Sequence, residues 1–193
     1  MAGKNRKLSG EEIELAKTVF GDAIDYEAVR ISARRIKPFQ PKNGGLCTGN
    51  TINISGSAYC QDYTTSDRTG LRAFFIHEMT HIWQYQNSPA YFGRKLLKEL
   101  TKHHFNYMAK AYRYELVDGK PFDDYGLEQQ ACIVQDYFAL KSNACKGMSG
   151  QCYSQLTKEQ LLPKLQQLVV AHFAQQPQRN CSTKTKPPKF KKD

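Results

Sequence analysis

No stretch of the chain approaches the ~20 consecutive apolar residues that a membrane-spanning helix needs, so no such span is expected. The opening residues, "MAGKNRKLSGEE", carry positive charge without the apolar segment of a secretory leader, which argues against a signal peptide. There is no internal repeat, and no CxxC pair that would favour a structural zinc knuckle. Acidic residues are scarce. Eighteen Asp and Glu face 28 Lys and Arg, for a formal net charge of +10. Part of that excess lies at the two ends, in Lys4, Arg6 and Lys7 and in Lys184, Lys186, Lys189, Lys191 and Lys192. The body lacks helix-turn-helix, RNP, KH and zinc-finger patterns, and charge alone is weak evidence for nucleic acid. A basic surface is equally suited to solvation or to an anionic substrate or envelope, so nucleic acid is not expected as the main partner.

What is present suits one domain. The 193 residues are 40% hydrophobic and 11% aromatic, enough to build a core without disulfides. Residues 1–176 are expected to form that domain. Residues 177–193, "PQRNCSTKTKPPKFKKD", have almost nothing to bury and are expected to be a disordered basic tail. The six cysteines, Cys47, Cys60, Cys132, Cys145, Cys152 and Cys181, allow 15 pairings among which sequence does not choose. Cys47 and Cys60 bracket "TGNTINISGSAY", and Cys145 and Cys152 would close "CKGMSGQC". Disulfides without an export leader would be an odd combination.

Ser9 and Glu12 have capping-box spacing ahead of a helix through Ile13, Ala16, Val19 and Phe20, with Gly21 as its stop. "IDYEAVRIS" reads as extended, "PFQPKNGGLCTGN" as loop, and "TINIS" as a half-buried strand. A helix of about five turns follows, capped at Ser66 or Asp67 and stopped at Asn87-Ser88-Pro89. "AYFGRKLLKELTKHHF" reads as a weaker helix, and "NYMAKAYRYELVDGKPF" as extended with a turn at Asp118-Gly119. "YGLEQQACIVQDYFALKS" is a strong amphipathic helix. "LTKEQLLPKLQQLVVAHFAQQ" is another, capped by Thr157 and Gln160, kinked at Pro163, with His172 in its core face.

The chemistry lies in "FFIHEMTHIWQYQ". Histidines four residues apart project from one face of a helix, so His77 and His81 can hold one Zn²⁺ at ~2.0–2.1 Å. Glu78, on the neighbouring edge of that face, can serve as general base toward a water whose pKa the metal lowers from 15.7 towards ~7. Phe74, Phe75, Ile76, Ile82 and Trp83 surround the motif, so the helix should be deeply buried. Burying His, Glu and His without a partner is costly, and a metal removes the difficulty.

A catalytic zinc needs a third protein ligand. An HExxHxxGxxH continuation is excluded, because Gln84 and Asn87 occupy the places of its glycine and last histidine. His103 and His104 fall on a Lys-rich helix, and Glu115 on an extended segment. Glu128, one turn into the following strong helix, is the preferred candidate, since a facing helix is where glutamate completes a His₂Glu site. Among the clustered Tyr107, Tyr112, Tyr114 and Tyr125, one could donate to an oxyanion, and Tyr125 is nearest to Glu128 in sequence.

Four blocks in order, "LSGEEIELAKTVFGDAIDYEAVRI", "PFQPKN", "FFIHEMTHIWQYQ" and "DYGLEQQACIVQDYF", resemble the Vgr/Rhs-related zincin metallopeptidase domains of bacterial type VI secretion effectors. The resemblance spans roughly residues 8 to 141. It implies an α+β, zincin-like fold, mainly helical with a small β-sheet and with the HExxH helix as its active-site helix. It also implies His77, His81 and Glu128 as zinc ligands with Glu78 as general base. In well-known gluzincins an acidic residue one turn after the glutamate ligand orients a histidine. Here Cys132 stands there, leaving Asp124 or Asp136 as alternatives without support from spacing. The family further implies synthesis in the cytoplasm without a signal peptide, a secretion-machine carrier, action in a target cell's periplasm and a cognate immunity protein. Delivery into the oxidising periplasm would allow disulfides to form there.

The expected function is therefore a zinc peptidase used as an antibacterial effector, cleaving peptide bonds in envelope proteins or in peptidoglycan peptides. The alternatives are an adaptor module with a purely structural zinc, and a basic nucleic-acid-binding protein.

Overall fold

The computed structural model describes residues 5–36, 40, 42–65, 69–90, 92–95, 111–143, 148–152 and 156–176. The weaker helix expected over 90–105 falls largely outside these residues. So do His103, His104, Tyr107, the caps Ser66 and Asp67, Cys145, Cys181 and the basic tail.

Among the described residues the fold is α+β, with a small mixed sheet flanked by helices. Its strands are β1 (Asn5–Arg6), β2 (Arg30–Ser32), β3 (Gly44–Thr48) and β4 (Thr51–Ser55), in the order β1-β2-β4-β3. β1 is antiparallel to β2, β2 parallel to β4, and β3 antiparallel to β4. The helices are α1 (Gly10–Phe20), α2 (Thr69–Asn87), α3 (Leu127–Lys141) and α4 (Lys158–Ala174).

Helix α1 starts where its cap spacing requires. The Ser9 hydroxyl accepts from the Glu12 amide, while the Glu12 carboxylate accepts from the Ser9 amide. That carboxylate is fully buried, and it also takes two hydrogen bonds from Arg6, at 2.7 and 2.8 Å, and one from the Tyr63 amide at 3.1 Å. One side chain thus ties β1, α1 and the segment before α2 together. Gly21 ends the helix with φ of 54°, a backbone state that favours glycine. Thr157 and Gln160 form the expected box at the start of α4, and that helix continues through Pro163.

Two expectations fail: Tyr26–Ala28, inside the segment read as extended, forms a 3-10 turn whose Ala28 amide donates to the Asp25 carboxylate, and a strand lies in the presumed loop. "GGLCT" inside the presumed loop is a strand, joined to β4 by the two-residue turn Gly49-Asn50, with Thr48 opposite Thr51. Gly49 supplies the positive φ of 62° that such a hairpin turn needs. The strand was illegible because its register rests on backbone pairing and carries no apolar alternation.

Helix α2 is the spine of the molecule. Every residue from Phe75 to Gln84 is buried, between β3 and β4 on one side and α3 on another. Ile52 and Ile54 of β4 and Ile76, Met79 and Ile82 of α2 are fully buried in the core. At the far end Phe20, Trp83, Phe122 and Phe173 gather α1, α2 and α4 into an aromatic cluster. His172 packs within it, 4.4 Å from the Phe122 ring centroid and 5.0 Å from that of Trp83.

Candidate metal centre

The apolar setting of the HEMTH segment leaves its two histidines facing the start of α3. There the helix presents Glu128 one residue after Leu127, and its carboxylate meets both imidazoles. Glu128 Oε2 lies 3.4 Å from His77 Nε2 and 3.2 Å from His81 Nε2. The ligating atoms of the three residues all fall within 4.8 Å of one another.

These separations test whether a metal fits. Ligand atoms held ~2.0–2.1 Å from a tetrahedral zinc stand about 3.3–3.4 Å apart, because the tetrahedron edge is about 1.6 times the bond length. The two measured distances match that edge. Two imidazole nitrogens converging on one carboxylate oxygen are also a poor way to spend a buried acceptor, and a cation between them removes the conflict. The donor set, two nitrogens and one carboxylate oxygen, suits zinc among other divalent transition metals.

The electrostatics follow from this packing. Burial would raise the Glu128 carboxyl, but the two facing histidines override it and hold it well below the usual carboxylate range. Burial would lower His81, yet Glu128 pushes it up to about 9. Glu78 moves the other way. Burial raises its pKa, with the neighbouring histidines opposing part of the effect.

Glu78 is placed by β3. Gly45 and Cys47, two residues apart on one face of the strand, lie against its carboxylate. The Cys47 thiol donates to Glu78 Oε2 at 3.4 Å, and a side chain at Gly45 would overlap the carboxylate. Burial and the Glu78 charge push the Cys47 thiol well above its usual value, so it is a neutral donor.

The orienting partner of His81 is neither Asp124 nor Asp136. It is Gln84, one turn further along α2, whose Oε1 lies 2.8 Å from His81 Nδ1. The i, i+3 spacing in "HIWQ" was the signal available for it. Asp136 is committed elsewhere, accepting from the Tyr114 hydroxyl at 2.6 Å and from Ser149. Glu115 is exposed. Tyr125 is buried, its hydroxyl accepts from the Val117 amide at 3.3 Å, and Lys120 sits over its ring. The tyrosine whose ring lies on the cluster is Tyr112, stacked on His77 at 6.0 Å between centroids and 11° between planes. Cys47, Cys60 and Cys132 are free thiols, so Cys47 and Cys60 are not paired, while Cys145 lies outside the described residues.

Fold and site together define a class: a small α+β domain whose buried central helix and facing helix form a His₂Glu cluster able to hold a metal ion. Comparison with known proteins places the chain more closely. The solved effector domain of Pseudomonas aeruginosa VgrG2b is similar with a TM-score of 0.61 and 33% identity, over 76% of this chain and 83% of that one. The type VI secretion system spike protein VgrG2b of P. aeruginosa is 35% identical over 141 residues, 73% of this chain. The chain spans only 14% of that spike protein's length. No family model matches. The chain belongs to the family of the VgrG2b effector domain, and so to the effectors of type VI secretion.

Proposed function

We propose that this domain is a zinc-dependent peptidase of zincin-like fold, delivered as an antibacterial effector. The observation that supports the reading is the convergence of His77, His81 and Glu128 within 4.8 Å, with Glu128 Oε2 at about a zinc-tetrahedron edge from each histidine and Glu78 beside the histidines on their helix. Zinc held there would supply Lewis acidity, polarising a peptide carbonyl and lowering the pKa of water.

The remaining steps fall to the chain's own groups. Glu78 takes a proton from the water that attacks the carbonyl carbon. As the C–N bond breaks, it returns that proton to the leaving amine. The raised pKa of Glu78 suits a group that must both accept and release a proton near neutrality. Gly45 and Cys47 keep its carboxylate in one place. The bond cleaved is a peptide in envelope proteins or in the cross-linked peptides of peptidoglycan, and the net charge of +10 favours an anionic, wall-associated target. Family membership supports a secretion-machine carrier, periplasmic action and a cognate immunity protein.

The test is Glu78→Gln. The variant should keep the wild-type zinc content and melting temperature while losing toxicity on periplasmic expression. Full toxicity of a folded, zinc-loaded Glu78→Gln protein overturns the peptidase reading and favours an adaptor with a structural metal.

A further inference from the structure

We propose that Gln84 is a positioning residue, one half of a two-amide relay with Gln130 that locks His81 into the orientation and protonation pattern of a metal ligand. The relay's polarity is set from its far end. Gln130 Nε2 donates to the carbonyls of Phe122 at 3.1 Å and Tyr125 at 3.2 Å. Both partners only accept, so Gln130 must turn its Oε1 towards Gln84. Gln84 Nε2 in turn donates to that oxygen at 2.8 Å and to the Leu127 carbonyl at 3.0 Å. Both Gln84 hydrogens are thereby committed, and its Oε1 is left facing His81 Nδ1 at 2.8 Å. An amide oxygen only accepts, so Nδ1 must carry hydrogen, and the neutral ring presents its lone pair at Nε2, beside Glu128.

Three backbone carbonyls therefore determine which nitrogen of His81 faces the metal position. Gln84 and Gln130 are both buried, so water cannot substitute for either amide cheaply. The carbonyls belong to the turn and first residue leading into α3, the helix that carries Glu128. The relay thus sets His81 and Glu128 relative to each other across two helices. Among the described residues His77 has no counterpart: its Nδ1 is buried without a hydrogen-bond partner there. The two histidines are unequal, and the relay should act on one of them alone.

The consequence for metal affinity rests on the metal reading above, whereas the hydrogen-bond pattern does not, so two readouts separate them. The first is ¹H–¹⁵N NMR of the histidine side chains in metal-free protein. Wild type should show a slowly exchanging His81 Nδ1–H resonance that Gln84→Met abolishes, with the His77 signals unmoved. The second is zinc affinity by chelator competition. Gln84→Met should bind about 10–100-fold more weakly, and Gln130→Met should fall in between, because it frees the Gln84 amide to rotate. A purely structural role would lower the melting temperature of both variants at unchanged zinc affinity, and that result overturns the proposal. So does a wild-type His81 whose Nδ1 carries no protected hydrogen, a measurement that holds even if Gln84→Met fails to fold. Absence of zinc binding by wild type would remove the metal reading, and the NMR result would still decide the relay.

Discussion

Gly45→Ala should disable the domain without touching a metal ligand or the core. A Cβ at Gly45 would stand 2.5 Å from Glu78 Oε2 and closer still to the rest of the carboxyl group, against an ordinary contact of about 3.5 Å. Something must move by about 1 Å. Strand β3 is held to β4 across five residue pairs, whereas the carboxylate is the free end of a flexible side chain, so the carboxylate yields. The backbone at Gly45 is extended and not left-handed, so alanine brings no conformational strain. Displacing a reacting group by about 1 Å costs on the order of 10²-fold in rate, about 2.7 kcal/mol of barrier. Zinc content by mass spectrometry and the melting temperature should match wild type, while periplasmic toxicity falls as it does for Glu78→Gln. Undiminished toxicity in Gly45→Ala would refute the assignment of Glu78's working position. Lost zinc would show that the strand moved instead of the carboxylate.

The metal-free domain should show a pH dependence with a definite sign. His81, pushed up to about 9 by Glu128, contributes stability that is complete below about pH 6.5 and lost as pH rises through 9. Glu128, held low by the histidines, contributes stability present above about pH 4.5 and lost as pH falls towards its depressed value. Metal-free protein should therefore be most stable between these limits, and zinc affinity should climb about tenfold per pH unit from 6.5 to 9, because zinc must displace the His81 proton. Calorimetry in two buffers of different ionisation heat should find about one proton released per zinc at pH 7; a pH-independent affinity would contradict the pairing. Glu12→Ala should cost about 3 kcal/mol, the low end for a broken buried pair because Arg6 keeps 19% of its side chain in water. The melting temperature should then drop by roughly 10 °C, and an unchanged melt would deny Glu12 its role as a hub. Tyr125→Phe should cost about 1 kcal/mol by orphaning the Val117 amide while toxicity persists. Toxicity lost at unchanged stability would instead support Tyr125 as the oxyanion donor.

The legible parts of this molecule are those whose physics is local. Capping at Ser9 and Thr157, the period of α2 and α3, and the burial implied by Phe74 to Trp83 are all written within a few residues of where they act. Glu128 could be chosen over Glu115 and the His103–His104 pair because helix-start position and amphipathic face are local too. β3 escaped because its residues were selected by what lies opposite: glycine at 45 leaves room for the Glu78 carboxylate, and that requirement is set by a helix more than 20 residues further on. The orienting glutamine escaped for a related reason. Gln84 is identifiable as a partner of His81 by spacing, but its polarity depends on carbonyls brought up by the docking of α3. The position at which a gluzincin carries its acidic partner holds Cys132 here, and a neutral amide on the other helix faces His81 instead.

The proposed third ligand, Glu128, lies 47 residues from His81, on a different helix. A denatured or partly opened chain keeps its HEMTH pentapeptide, but it has no metal pocket, since nothing but tertiary docking brings Glu128 to the histidines. On the proposed zinc reading, metal loading would therefore report correct folding, and the ion would favour the assembled state by an amount that grows with the logarithm of its concentration. If the proposed activity holds, the domain carries its own safety catch: a chain threaded, unfolded or clipped between α2 and α3 would be disarmed, and it would become competent only where it can fold and find metal.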